Sequence, residues 1–328
     1  MSLTIWCNAK FNETVTQRLV AAIRDRGHQL VWASNASASV LDAGGPDAAM
    51  NEADIAFGQP DVSQSRDSAK LRWVEVTTAG YARYDTPDFK ETLGARGALF
   101  TNMSGVFAEP CAQHLLAQML ALARQLPASW NDQHQDSPPW NYTDRRAQST
   151  LLNGQTVLLL SYGSIARRLV ELLQPFGMKI YALRRRTYSE AGVHVIAEEK
   201  LSAVLPEVDH LVNILPESEA TTGFVNARRL ALLKRGARFY NIGRGPTVDQ
   251  NALMEALESG HLDSAYLDVM DPEPLPPEHR LWRTKNCHIT PHTGGGRSDQ
   301  DDAIVTHFLD NLAAFEADRA DDMANRIV

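Results

Sequence analysis

TVLLLSYGSIARRLVELLQPFG, residues 156–177, is the stretch on which the fold turns. Val157–Leu160 is a short apolar run of strand length, and residues 165 to about 176 place apolar side chains at helical spacing. The two are joined by the tight turn SYGSIA, 161–166. Strand, glycine-bearing turn and helix open a dinucleotide-binding unit of the pattern GxGxxG. Gly163 stands where the backbone must approach a pyrophosphate, with Ser164 and Ile165 entering the helix behind it. Ala166 is small enough for close packing of helix on strand, whereas Ser161 takes the place of the first glycine. The match is therefore incomplete at that end.

Twenty-one residues beyond Gly163, after the next strand (Lys179–Leu183), an acid would hold the ribose 2′-hydroxyl of NAD. Arg184 stands there, followed by Arg185 and Arg186. Guanidinium groups pair with a 2′-phosphate that a carboxylate would repel, so the sequence predicts NADP in preference to NAD.

Outward from this unit the same alternation runs through the chain. Further strands are expected at 210–214, 238–241, 264–267 and 287–289, with helices at 228–233 and 250–259 between them. On the N-terminal side, strands are expected at 3–7, 29–33, 54–57, 72–77 and 98–101. A helix over 13–26 has Asn12 as its N-cap. Strands separated by helices, without hairpin signals, predict parallel sheets covered on both faces. A long helix is expected over 106–124, with Cys111, Leu115, Met119 and Ala123 on one face, and a last one over 301–316. The polar, Trp- and Pro-marked stretch 125–148 reads as an ordered connector. The fold class is α/β, with two doubly wound parallel-sheet lobes. A Rossmann-type cofactor domain, 105–290, is inserted in a flavodoxin-like domain made of 1–104 plus 291–328. The last residues are too few for a domain of their own.

The 328 residues suit about two domains. A net charge of −8 argues against a dedicated nucleic-acid binder. Cys7, Cys111 and Cys287 are odd in number and far apart, which predicts neither a disulfide framework nor a structural metal site. The N-terminus lacks a secretory signal, and the most apolar stretch, 115–123, is too short to span a membrane. The expectation is a cytoplasmic protein without membrane or nucleic-acid partners.

NIGRGPTVD (241–249), LDVMDPEPLP (267–276) and TPHTGGG (290–296) resemble, in that order, the signature motifs of the D-isomer-specific 2-hydroxyacid dehydrogenases. LRWVEVTTAG (71–80) and LFTNMSGVFAEPCAQHLL (99–116) extend the resemblance over nearly the whole chain. It implies hydride transfer between NADP or NAD and a small 2-keto or 2-hydroxy acid, of the kind used by glyoxylate/hydroxypyruvate reductase-like members. It also implies a catalytic trio of Arg244, Glu273 and His292.

The residue types suit that chemistry. An imidazole titrates near neutrality and can move the hydroxyl proton that accompanies a hydride. A carboxylate beside it favours the imidazolium, and an arginine binds the substrate carboxylate and polarises the carbonyl. By the same resemblance Asp268 contacts the nicotinamide carboxamide, Ile242 and Gly243 line its pocket, and Leu215 and Pro216 cover the adenosine. Ala79 and Gly80 offer backbone amides to the substrate carboxylate. Gln59, Tyr81 and Met103 fall where side-chain specificity is set. A homodimer built around the 106–124 helix is implied as well. Glu273 argues against the formate-oxidising branch, which carries glutamine there. The alternative is a dinucleotide-sensing corepressor-like scaffold of the same fold, which retains the trio.

Overall fold

The computed structural model describes residues 2–34 and 44–328. The chain divides into two compact units, Met1–Phe107 with Arg297–Val328, and Ala108–Gly296.

The first unit is built on β1 (Thr4–Cys7), β2 (Gln29–Trp32), β3 (Ile55–Gly58), β4 (Trp73–Val76) and β5 (Leu99–Thr101). They pair in parallel in the order β2-β1-β3-β4-β5, the flavodoxin-like order. β3 and β4 are buried at every residue, as strands covered on both faces must be. Helix α1 (Glu13–Asp25) begins where the Asn12 side chain accepts from the Val15 N–H at 3.0 Å, and it buries Val15, Leu19 and Ile23. α2 (Val62–Asp67) and α3 (Pro87–Ala95) are capped in the same way by Asp61 and Thr86. The C-terminal helix, Gln300–Glu316, packs on this sheet: Phe308 stacks on Phe57 and Trp73, with ring centroids 4.0 and 5.3 Å apart. Arg18 pairs with Asp302, and Arg26 and His28 with Glu316.

The second unit holds seven parallel strands: β6 (Thr156–Leu160), β7 (Lys179–Leu183), β8 (His194–Ile196), β9 (His210–Asn213), β10 (Ala237–Asn241), β11 (Leu262–Leu267) and β12 (Cys287–Ile289). Their order is β12-β11-β10-β9-β6-β7-β8, so the direction of winding reverses between β6 and β9. In an open sheet of this kind, ligands bind beyond the carboxyl ends of the strands at that reversal. The covering helices are α4 (Ser104–Ala123), α5 (Leu126–Gln133), α6 (Tyr142–Gln148), α7 (Ser164–Leu173), α8 (Leu201–Val204), α9 (Ala227–Ala231) and α10 (Gln250–Glu258). The two parallel sheets agree with the α/β class expected from sequence. Among the described residues no helix is long and apolar enough to cross a membrane.

Three differences from the sequence reading have physical causes. The stretch 125–148 contains two helices, but neither buries a residue, so no apolar face marked them. Edge strand β8 is three residues long and half exposed, too short for a periodicity. The expected boundary after residue 290 puts His292 with the first lobe. In the structure 290–296 belongs to the second unit, because Asp268 bonds the Thr293 and Gly294 amides at 2.9 Å each.

Candidate active site

The turn between β6 and α7 has the geometry of an anion seat. Gly163 is the residue before the first turn of α7, in extended backbone, and a Cβ built on it meets no atom within 4 Å. Neither conformation nor packing therefore requires glycine there, and the bare backbone leaves room for a ligand to lie against it. Ala166 is fully buried against the sheet. Ser161 adopts φ 94°, a region glycine occupies at no cost and a side chain occupies under strain. Serine thus occupies a backbone position that suits glycine. These residues fit a dinucleotide pyrophosphate.

At the end of β7, Arg184 Nη1 donates to the Tyr162 carbonyl at 3.2 Å and reaches the Tyr188 hydroxyl at 3.4 Å. Its guanidinium also lies 5.7 Å from the Tyr188 ring. Arg167, from the first turn of α7, lies over the Tyr162 ring at 4.7 Å, donates to the Tyr188 hydroxyl at 2.6 Å and pairs with Glu190. Arg184, Arg185 and Arg186 are all exposed, and of the three Arg184 is the one tied to the turn. Arg167 and Tyr188 escaped the sequence reading, since only the strand-end position carried a signal.

The trio lies within the second unit. His292 Nδ1 is 2.8 Å from Glu273 Oε2, and both side chains are partly exposed. Glu273 Oε1 accepts the Met270 N–H at 2.9 Å. Burial pushes the Glu273 carboxyl up, but the His292 and Met270 hydrogen bonds and the charges of His292 and Arg244 outweigh it. The carboxyl is left below the usual glutamate range. The His292 backbone sits at φ 54°, held there by its N–H, which donates to the Asp268 and Thr290 carbonyls at 2.8 and 3.0 Å.

Arg244 follows β10 and is positioned through its backbone. Its carbonyl accepts from Thr247 Oγ1 at 2.6 Å, and Asn213 donates to Thr247 Oγ1 at 2.7 Å and to Asn241 at 2.9 Å. Gly245 passes so close to Met270 that a Cβ would stand 1.9 Å from its carbonyl oxygen. That contact sets the crossing of the Arg244 and Glu273 segments. Gly243 approaches Leu215 in the same manner, with 2.6 Å left for a Cβ. Leu215 and Ile242 are buried and Pro216 is exposed. Asp268 is 1% exposed; Oδ1 accepts from Thr290 and Thr293 and Oδ2 from Gly294. Its visible task is to hold the loop that carries His292, which spacing alone could not reveal.

Ala79 and Gly80 belong to the first unit, in the loop after β4. Their carbonyls are bonded by Asn102 Nδ2 at 2.8 Å and Thr78 Oγ1 at 2.7 Å. Gln59, nearly fully buried, donates to the Thr77 and Thr78 hydroxyls at 3.2 Å and braces this loop. Met103 is fully buried in the core of the first unit.

Residues 116–294 match the model of the D-isomer specific 2-hydroxyacid dehydrogenase, NAD binding domain. The glyoxylate reductase of Korarchaeum cryptofilum is 30% identical, covering 75% of this chain and 74% of its own. The glyoxylate/hydroxypyruvate reductase B of Erwinia tasmaniensis is 30% identical, covering 78% and 79%. The crystal structure of an NADPH-dependent glyoxylate/hydroxypyruvate reductase from Sinorhizobium meliloti, in complex with NADP and malonate, superposes with a TM-score of 0.73. It is 26% identical and covers 100% of this chain and 97% of that one.

The chain belongs to the D-isomer specific 2-hydroxyacid dehydrogenase family. It is an oxidoreductase that uses a nicotinamide dinucleotide to interconvert a 2-keto and a 2-hydroxy acid.

Proposed function

We propose that this chain reduces a small 2-keto acid, glyoxylate or hydroxypyruvate, with NADPH in preference to NADH. The observation that carries this reading is the 2.8 Å His292–Glu273 pair, an imidazole and a carboxylate arranged for proton transfer. When bound, the nicotinamide supplies the hydride. With Nδ1 on Glu273, His292 keeps Nε2 for the substrate oxygen and gives it a proton. Glu273, ionised through the neutral range, favours the imidazolium that makes this possible. Arg244 anchors the substrate carboxylate by charged hydrogen bonds and polarises the keto group. The amides of Ala79 and Gly80 serve the same carboxylate.

Ser161, Gly163, Ser164 and Ile165 form the pyrophosphate seat, and Arg184 and Arg185 take the 2′-phosphate. Leu215 and Pro216 flank the adenosine; Ile242, Gly243 and the remaining capacity of Asp268 Oδ2 serve the nicotinamide. Residues 1–107 with 297–328 act as the substrate lobe and 108–296 as the cofactor lobe. The names of the relatives support the substrate class, and the S. meliloti complex with NADP supports the cofactor. Glyoxylate, hydroxypyruvate, pyruvate and a bulkier 2-keto acid, each assayed with NADH and NADPH, test the reading. The highest kcat/KM is expected for one of the first two with NADPH. A bulkier acid ranking first would refute the substrate class.

The working form is a homodimer in the cytoplasm. α4 spends its buried face within the monomer, whereas Leu126, Trp130, Trp140, Tyr142 and Leu151 just beyond it are exposed, Trp140 by 92%. Solvent-exposed aromatics clustered in one segment are an unpartnered apolar surface that a second copy would cover. Light scattering at micromolar concentration is expected to give twice the 36.3 kDa chain mass, falling to the single-chain mass on Trp130→Ser with Trp140→Ser. A wild-type monomer refutes the assignment.

A further inference from the structure

Behind the loop that carries His292 runs a continuous line of hydroxyl groups. His114 Nε2, on α4, is hydrogen-bonded to the Tyr266 hydroxyl on β11, and that hydroxyl to Thr290 Oγ1. Thr290 Oγ1 donates to Asp268 Oδ1 at 2.5 Å, and Tyr266 has the same Oδ1 at 3.4 Å as a second acceptor. The direction of every proton is forced. Thr290 has one hydroxyl hydrogen and gives it to the carboxylate, so it accepts from Tyr266. Tyr266 has one and gives it forward, so it accepts from His114, whose Nε2 must carry hydrogen. Burial, together with the Asp268 charge, holds the Tyr266 phenol well above the usual tyrosine range, so this proton stays in place.

Asp268 grips the loop from both sides of His292. Its carbonyl accepts the His292 N–H, and its carboxylate accepts the Thr293 and Gly294 amides. Whatever fixes that carboxylate fixes the loop that holds His292 at positive φ. We propose that Tyr266 and His114 are positioning residues for the reaction, locking His292 onto Glu273 through Thr290 and Asp268. This rests on the reading of His292 as the proton donor.

Glu273 lies on the His292 ring, Arg244 acts on Glu273, and Asp268 holds the loop from beneath; from α4, His114 reaches Asp268 through Tyr266 and Thr290, and Cys111 feels the charges of Asp268 and Arg244. Burial pushes the Cys111 thiol up to about 12, so it stays uncharged at neutral pH. The chain from His114 is thus a continuous polar connection between α4 and the loop.

The test is Tyr266→Phe in the full-length enzyme, which keeps the ring and removes the hydroxyl, assayed with glyoxylate and with hydroxypyruvate and NADPH. Small misplacements of a reacting group cost one to two decades, so kcat is expected to fall on the order of tenfold while KM for NADPH holds. The basic limb of the pH profile for reduction should move to lower pH, because a looser loop weakens the bond by which Glu273 favours the imidazolium. Adding Glu273→Gln should produce no further displacement of the limb than Glu273→Gln alone, since both act through one pair. His114→Gln, which can still donate to Tyr266, should retain activity; His114→Leu should reproduce Tyr266→Phe. An unmoved pH limb, or equal loss in His114→Gln and His114→Leu, overturns the proposal, even if Tyr266→Phe is less stable or fails to fold. Near-normal turnover by His292→Ala would instead overturn the proton-donor reading beneath it.

Discussion

His292→Ala is expected to lower kcat for keto-acid reduction by roughly 10²–10⁴-fold, the range for losing a positioned general acid. The imidazole is the group bonded to Glu273 at 2.8 Å, and alanine leaves nothing to protonate the developing alkoxide. The loss should appear in kcat and kcat/KM alike, because the interaction strengthens only as charge develops. KM for NADPH should stay near its wild-type value. Alanine must also adopt the φ of 54° at this position, so a thermal melt beside the kinetics separates loop strain from lost chemistry.

The pH dependence carries a sign. Reduction consumes a proton that the imidazolium supplies, so the rate falls as the pH rises into the alkaline range. Glu273 lies below the usual glutamate range and remains ionised as pH falls well into the acid range. It therefore supports the imidazolium across the working range, and Glu273→Gln should bring the basic limb to lower pH. Steady-state rates between pH 5 and 10 check both variants. A His292→Ala enzyme with near-normal turnover at neutral pH would remove His292 from the mechanism.

The trio was read from three motifs that resemble a family's signatures in order, and not from any one residue: Arg244 stands between two glycines, Glu273 between two prolines and His292 shortly before three glycines. Three of those glycines now have reasons, Gly243 because it passes against the Leu215 backbone. Gly245 admits the Met270 carbonyl, and Gly294 lies where a Cβ would meet Asp268 Oδ2 at 2.8 Å and Ile242. The alternation of strands and helices was equally legible, since buried parallel strands are continuous apolar runs. What the sequence hid depends on contacts between distant segments. Asp268 reads as a cofactor contact, yet its carboxylate is bonded to residues 22 to 26 positions away. Tyr266 reads as one more core aromatic of β11 until the folded sheet brings His114 to it. The exposed aromatics of 126–151 were visible as letters, but their exposure is a tertiary property.

Arg184→Asp is expected to abolish or reverse a preference for NADPH. A 2′-phosphate meeting one well-placed arginine gains a charged hydrogen bond worth on the order of 1.5–3 kcal/mol. At about 1.4 kcal/mol per decade this is roughly 10–150-fold in kcat/KM. The outcome depends on where the side chain points, since a guanidinium loose in solvent adds only a potential that salt screens within about 8 Å. Arg184 is tied to the Tyr162 carbonyl inside the phosphate turn and lies beside the Tyr188 ring, so its guanidinium is held at the end of β7 next to the dinucleotide seat. Arg167, fixed by Tyr188 and Glu190, adds a second cation on the same side. Aspartate at 184 would instead repel the phosphate and accept a ribose hydroxyl, the arrangement that favours NAD. Arg186→Asp serves as the control for mere potential: it alters the same net charge without touching the turn. Measured at about 0.15 M salt, the preference should collapse in Arg184→Asp and largely survive in Arg186→Asp. Equal use of the two cofactors by the wild-type enzyme, unchanged by Arg184→Asp, would remove the cofactor assignment while leaving the dehydrogenase intact.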